Sequence, residues 1–555
     1  MTKMTFGEFL REKSRVSGDA PALICEGRSV SFRELCEMAE NGASLLKNNG
    51  VSKGDRVVLW GFNSIEWVIA FYSVILSGGI AVLMNYGISA EDVGRLSEMV
   101  GASFMLYSGT RAMINDSRAP QKAALRAGIG LQNVKPMEYL SDGCCKASEI
   151  PFISSEAGCR DTSVIIFTTG TTSSPKAVKL SAYSILNDAS GAYEVLSPRL
   201  KDSLCAALPL FHSYGLLVLH VYLISGKRTH LVRMLKPDVI ADLIGQGDVT
   251  DMASVGAVYA MMTRLPQFEE KVSGRLNVCI VGGGFTTPAE MMRLEQAFGG
   301  AKILCGYGQT ECSPVIAVES ADDALELRAV SVGHILPGID VRVWRSGTGF
   351  VSHGEPGEIV IKGYCTMNGY YGSGRDSEPF DSDGWLHTGD IGRLIDKDML
   401  QITGRIKDII IRCGENVSPV EVEQALMSVG GVRSAKVLGA PHRIWGESVE
   451  ACVIPEYDMD KSQEEGFIDM LMHELKQKLS SYKVPSHIFL YSSFPLCDNG
   501  KTDIRSLRED MLGRLPALSA FSDGYDLGKT MLYQTEKFRR MINDDKSRTE
   551  GNNEY

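Results

Sequence analysis

The stretch from Ile165 to Ser181, IIFTTGTTSSPKAVKLS, holds the densest group of side chains able to do chemistry. Thr168, Thr169, Thr171, Thr172, Ser173 and Ser174 set a run of hydroxyls around Gly170, and Pro175 and Lys176 follow. Hydroxyls and closely spaced backbone N–H groups suit phosphate oxygens. A Ser/Thr-rich linker has the same composition, so composition alone leaves both readings open. A Walker loop is excluded. It needs Gly, four residues, then Gly-Lys-Ser/Thr, and counting from Gly170 the sixth position is Pro175 and the eighth Ala177.

The elements around this loop fit a buried strand before it, Val164 to Phe167, and a second apolar run after it. TTGTTSSPKAV resembles the phosphate loop of the acyl-adenylate-forming (AMP-binding) superfamily. That superfamily contains acyl-CoA synthetases, peptide-synthetase adenylation domains and firefly-type luciferases. Four further blocks repeat the resemblance in the family's order, up to about Arg508. The motifs are most similar to those of acyl-CoA synthetases and fatty-acid–CoA ligases. The run SKGDRVVL to EWVIAFYSVILSGGIAV near the start also resembles the family and supports the fold rather than the chemistry.

The resemblance implies a role for each block. In the loop it makes Thr168, Thr169, Gly170, Thr171, Thr172 and Lys176 nucleotide-binding. In LPLFHSYGL it makes His212 the residue that gates or orients the substrate carboxylate. Amino-acid-activating relatives carry an aspartate in this segment, and Phe211, His212 and Ser213 supply none, so an amino acid is a poor substrate. In VCIVGGGFTTP, Gly282, Gly283 and Gly284 border adenine and acyl group, although a tight strand-to-helix turn explains the glycines equally well. In ILCGYGQTE, Gly306 and Gly308 imitate a dinucleotide fingerprint whose third glycine is replaced by Glu311. The family assigns Tyr307 to stack on adenine, Thr310 to bond phosphate and Glu311 to ligate Mg²⁺, which commonly takes one carboxylate with substrate phosphates. Asp390, in DGWLHTGDIG and expected at a strand end, accepts both ribose hydroxyls. In GRIKDIIIRCGENVSP, Arg405 reaches ribose or phosphate, Lys407 is the hinge, and Gly414 lies on the pantetheine tunnel. Lys501, in NGKTD, is the adenylation lysine. The chain departs from the family at Ser173 and Ala177, where glycine is common, and at Ala182, where histidine is common. These departures are expected to stiffen the loop and bear on turnover.

Helix and strand patterns alternate from Phe6 to Gly109, which means a largely parallel sheet with helices on its faces. Ser31 and Glu34 form a capping box for a helix ending near Gly50, and Glu66 to Leu76 reads as a buried helix. The expected fold is α/β: a large N-terminal domain of mostly parallel sheets flanked by helices, and a small mobile α+β C-terminal domain. The boundaries are 1–403 for the AMP-binding domain, 404–407 for the hinge, 408–512 for the small domain and 513–555 for a polar tail. Within the small domain, strands are expected at Asp408 to Arg412, Ser434 to Leu438 and Val449 to Ile454. Helices are expected at Pro419 to Ser428 and from about Gly466 to Ser481.

Bulk properties narrow the partners. Lys plus Arg is 57 against 68 Asp plus Glu, a net charge of −11 without a basic cluster, which does not suit nucleic acid. Thirteen scattered cysteines without a CxxC pair suit a reducing compartment. Two uncharged runs, Trp67 to Met84 and Leu204 to Gly226, are long enough to span a bilayer, but internal Gly and Pro mark them as core elements. The expected location is the cytoplasm. The expected activity is an ATP- and Mg²⁺-dependent acid–thiol ligase that joins a fatty or other hydrophobic carboxylic acid to AMP and then to CoA. A phosphopantetheinyl carrier protein is the alternative acceptor, and a weakly active nucleotide-binding relative the alternative class.

Overall fold

The computed structural model of the protein describes residues 1–142, 158–168, 175–282, 288–372, 379–413, 415–442, 445–497 and 501–515. Among these residues the backbone forms four sheets. The first has six strands in the order Val134–Pro136, Phe104–Tyr107, Arg56–Trp60, Ile80–Met84, Thr162–Thr168 and Lys176–Ser181. Its pairs are parallel until Thr162–Thr168, which turns back as an antiparallel hairpin with Thr168 opposite Lys176. The arms of this hairpin are anchored by the buried Val164, Ile166 and Val178.

The second sheet has nine strands, parallel through its centre and antiparallel at both ends. Val278–Val281 and Lys302–Tyr307 are neighbours within it, so Gly282 and Tyr307 stand together at the carboxyl ends of parallel strands. Such ends are where open α/β sheets bind ligands. Helix Phe32–Asn48 carries the capping box of Ser31 and Glu34. The two uncharged runs resolve into helix Ile65–Leu76 with strand Ile80–Met84, and strand Ser203–Ala206 with helix Ser213–Ser225. Among the described residues no helix is long and apolar enough to cross a membrane.

The third sheet is a five-stranded antiparallel one, ordered Gly349–Phe350, Ile339–Arg345, Gly357–Gly363, Leu386–Leu394 and Leu400–Arg405. The two sheets with parallel centres bear out the expected mostly parallel N-terminal domain, and this antiparallel sheet adds a third. Asp390 lies inside Leu386–Leu394 and not at a strand end. The chain tolerates this because Gly389 takes a φ of 72° and the register shifts between Ile391 and Gly392.

The C-terminal domain pairs Val432–His442 with Gly446–Pro455, both longer than expected, and adds Ile410–Arg412, Glu415–Val417 and His487–Leu490. Asp408 belongs to a 3-10 turn, Ile406–Asp408, rather than to the strand. Helix Lys461–Lys478 begins before Gly466 because Asp460 and Gln463 form a capping box there. The last described helix, Ile504–Arg514, runs past residue 512, and Leu515 packs into the domain core. The remainder of the tail, 516–555, lies outside the described residues. The cores of the two domains share no side chain. Ser418 donates to the Thr403 carbonyl at 2.6 Å, and Arg293 pairs with Glu456 at 2.7 Å across them.

Candidate active site

The antiparallel register sets Asp390 directly opposite Arg405. Arg405 Nε donates to Asp390 Oδ1, and the Tyr307 hydroxyl donates to Oδ2 at 2.8 Å. One buried carboxylate, 2% exposed, thereby joins the end of a parallel strand to two strands of the third sheet. Burial and the Asp390 carboxylate hold the Tyr307 phenol well above its ordinary pKa. Burial opposes the charge on Arg405, but Asp390 prevails and raises its pKa. Each carboxylate oxygen has two lone pairs, so this clamp can still accept bonds from a diol.

Thr310 and Glu311 form a 3-10 turn, Thr310–Cys312, just beyond Tyr307. Thr310 Oγ1 lies 3.3 Å from Ser213 Oγ, which ties the turn to the start of helix Ser213–Ser225. Tyr370 donates to Glu311 Oε1 at 3.0 Å, and Lys176 Nζ stands 4.7 Å from the centre of the Tyr370 ring. Tyr370 was not anticipated: it sits in NGYYG, with no spacing to mark it, and only folding brings it to both groups. The Glu311 carbonyl accepts from the Met367 N–H at 2.9 Å, and among the described residues no cluster of three or more His, Cys, Asp or Glu could hold a metal. Among the described residues only Tyr370 bonds the Glu311 carboxylate, an arrangement that suits Mg²⁺ completed by substrate oxygens and water rather than a protein-caged metal.

His212 immediately precedes helix Ser213–Ser225. Its Nε2 is buried without a hydrogen-bond partner among the described residues, and its ring lies 4.3 Å from that of Phe211. Burial, and then the Lys501 ammonium, bring its pKa down to about 4, so the ring is neutral at neutral pH. Burial and the Arg405 guanidinium likewise draw Lys501 below the usual lysine value. Lys501 therefore lies within electrostatic reach of both His212 and Arg405. Burial and Arg405 also lower the pKa of Lys407 in the turn Ile406–Asp408.

The glycines separate by cause. A Cβ on Gly308 would lie 1.9 Å from the Pro314 carbonyl oxygen, and one on Gly282 would lie 2.4 Å from a Tyr214 ring carbon. Those two are demanded by the protein's own packing. A Cβ on Gly306 would meet nothing closer than Val318 at 3.4 Å. Gly306 borders an apolar slot between helices Ala182–Leu196 and Ser213–Ser225 and the strand ends, with Leu196, Leu217, Val221 and Ile280 in its walls.

The expected site residues Thr169, Gly170, Thr171, Thr172, Gly283, Gly284 and Gly414 lie outside the described residues, as does Ser173. Ala177 and Ala182 do not belong to the loop. Ala177 is fully buried in Lys176–Ser181 opposite Phe167, and Ala182 opens helix Ala182–Leu196.

A family model described as AMP-binding enzyme matches residues 10–371, and one described as AMP-binding enzyme C-terminal domain matches residues 421–501. The chain belongs to the AMP-binding enzymes. This AMP-binding enzyme is 28% identical to the long-chain-fatty-acid–CoA ligase FadD13 of Mycobacterium tuberculosis, across 92% of this chain and 99% of that protein. It is 26% identical to the human mitochondrial medium-chain acyl-CoA ligase ACSF2, across 92% and 88%. Among solved structures it is similar to the o-succinylbenzoate CoA synthetase MenE of Bacillus subtilis in complex with ATP and magnesium. That match has 26% identity and a TM-score of 0.73 over 91% of this chain and 98% of that one. These AMP-binding enzymes place the chain among the ATP-dependent acyl-CoA ligases.

Proposed function

We propose that the protein activates a hydrophobic carboxylic acid, fatty or otherwise, as its acyl-adenylate and transfers the acyl group to CoA, releasing pyrophosphate and AMP. The carrying observation is the convergence of the Tyr307–Asp390–Arg405 clamp, Lys501 and His212 beside a slot with aliphatic walls. The acid and ATP are both anionic, so the site must offset charge and hold them in line. Asp390 receives the ribose hydroxyls and Tyr307 packs on adenine. Arg405 and Lys501 bring positive charge to the phosphates, together with Thr310 and the hydroxyls from Thr168 to Thr172. His212, being neutral, orients the acid without contributing charge. A Mg²⁺ ion held at Glu311 would supply further charge neutralisation at the phosphates.

The acid's oxygen forms a bond to the α-phosphorus as the bond to pyrophosphate breaks. The CoA thiolate then forms a bond to the acyl carbon, AMP leaves with the electron pair, and the thiol proton goes to solvent. Lys407 serves as the hinge between two domains divided at 404–407, and Gly414 lines the path of the pantetheine arm. The cytoplasm is the proposed location, although the human relative is named as mitochondrial.

The test is acid-dependent exchange of pyrophosphate into ATP over a panel of acids, followed by CoA or a phosphopantetheinylated carrier at matched concentrations. Exchange with hydrophobic acids and rapid acyl-CoA formation are expected. Absence of exchange with every acid would reduce the protein to a nucleotide binder. Fast carrier loading with negligible acyl-CoA would replace CoA as the acceptor.

A further inference from the structure

Asp390 is aimed by a bulge in the third sheet. Val360 pairs there with His387 and Glu358 with Ile391, so Thr388, Gly389 and Asp390 face Ile359 alone. Such an irregular stretch loses ladder hydrogen bonds, and its buried N–H groups need other acceptors. Gly389 supplies the backbone shape, at a φ of 72° that other residues rarely adopt. Side chains supply the acceptors. The Gly389 N–H donates to Glu358 Oε1 at 3.0 Å. The Asp390 N–H donates to Thr388 Oγ1 at 3.1 Å, and Thr388 donates in turn to the Ile359 carbonyl at 2.7 Å. The other oxygen of Glu358 lies 2.7 Å from His387 Nδ1, and the His387 ring meets Trp344 edge to face. The bond to Glu358 raises the His387 pKa against the effect of burial, and Asp381, 3.8 Å from Nε2, adds to it.

Glu358 thus grips the bulge at two points, His387 and Gly389, on the approach to Asp390. Its side chain is only 12% exposed, and among the described residues its carboxylate bonds those two groups and neither Tyr307 nor Arg405. We propose that Glu358 is a positioning residue for nucleotide recognition, which fixes the bulge so that the Asp390 carboxylate meets the ribose diol. A carboxylate that accepts from two neighbouring hydroxyls must be oriented to two atoms at once, so a small displacement forfeits the pair. The proposal rests on the ribose role given to Asp390 above. Glu358 acts through Asp390 and touches no substrate itself.

Calorimetric binding of ATP and of 2′-deoxy-ATP, with Mg²⁺ and without acid, reads the ribose contacts apart from turnover. The wild type should prefer ATP by about 10-fold, the scale of one hydrogen bond to a charged group. Glu358→Met, of similar length and without an acceptor, should bring that preference to about 3-fold or less, chiefly by weakening ATP. Glu358→Gln keeps an acceptor for Gly389 and should retain most of the preference. Glu358→Asp, one methylene shorter, should show a partial loss and serves if the methionine variant does not fold. On an Asp390→Ala background, Glu358→Met should add no further loss of ATP affinity, because it acts through that carboxylate. An undiminished preference in Glu358→Met and Glu358→Asp overturns the proposal and leaves the ribose role of Asp390 standing. Equal losses for the two nucleotides, or additive losses in the double variant, overturn it as well. A wild type without ribose preference overturns the role of Asp390 and the proposal together. If no acid supports pyrophosphate exchange but the preference and its loss in Glu358→Met hold, the reaction assignment falls and the positioning role stands.

Discussion

Asp390 and Tyr214 each bring a buried side-chain oxygen to the edge of the same site. Both oxygens of Asp390 are engaged, by Arg405 and by Tyr307, while the Tyr214 hydroxyl and His212 Nε2 have no partner among the described residues. On the proposed reading, the described clamp of the nucleotide half is already paired before any ligand arrives. Preorganisation of this half favours one ligand shape at low ordering cost.

Lys501 stands between the nucleotide and acid halves, and removing it is the most severe way to break the comparison. Lys501→Ala should lower pyrophosphate exchange on the order of 10²–10³-fold, the scale for losing one positioned charge. It should spare transfer from acyl-adenylate supplied ready-made, and equal loss in both steps would refute the assignment. Asp390→Ala should act on the nucleotide half alone. It leaves Arg405 and Tyr307 without their shared acceptor and should raise the KM for ATP about 10- to 100-fold, with the KM for acid nearly constant.

The glycine pair sharpens the contrast further. Gly308→Ala forces a Cβ onto the Pro314 carbonyl and should cost about 1–3 kcal/mol in chemical denaturation. Gly306→Ala should melt like the wild type yet shift the acid preference, because its Cβ would meet nothing closer than Val318, a slot wall residue, at 3.4 Å. The smallest expected effect concerns pH. His220 lies on the helix that walls the slot, bonded to Tyr72 and the Leu216 carbonyl, and burial lowers its pKa to about 4. A base depressed on folding contributes stability that is present above its unfolded value near 6.5 and lost as pH falls toward 4. By pH 6 the loss should reach about 1 kcal/mol. Thermal melts of His220→Phe between pH 7.5 and 6 should be correspondingly flatter than wild type.

Much of the nucleotide half was legible in the sequence because its residues sit in compact local blocks. GYGQTE, TGDIG and GRIKD each announce themselves, as does the capping box at Ser31 and Glu34. Their meeting was less legible, since Tyr307 and Asp390 are 83 residues apart and join two different sheets. The antiparallel sheet was missed although Ile339, Val341 and Val343 alternate with Asp340 and Arg342 as a half-buried strand should. Tyr370 carries no local signal. The acid half was the least legible. An unpaired hydroxyl is a property of everything around it, and no spacing within LPLFHSYGL records that Tyr214 lies against Gly282.

The turn Ile406–Asp408 begins one residue after Arg405, and the cores on either side share no side chain. Every described residue of the nucleotide clamp therefore belongs to one piece of the chain, and Lys501 belongs to the other. A break in the backbone at that turn would divide recognition from activation without cutting through either packed interior. The two pieces would resemble a lock and its separately held key, and product formation would report that they had met.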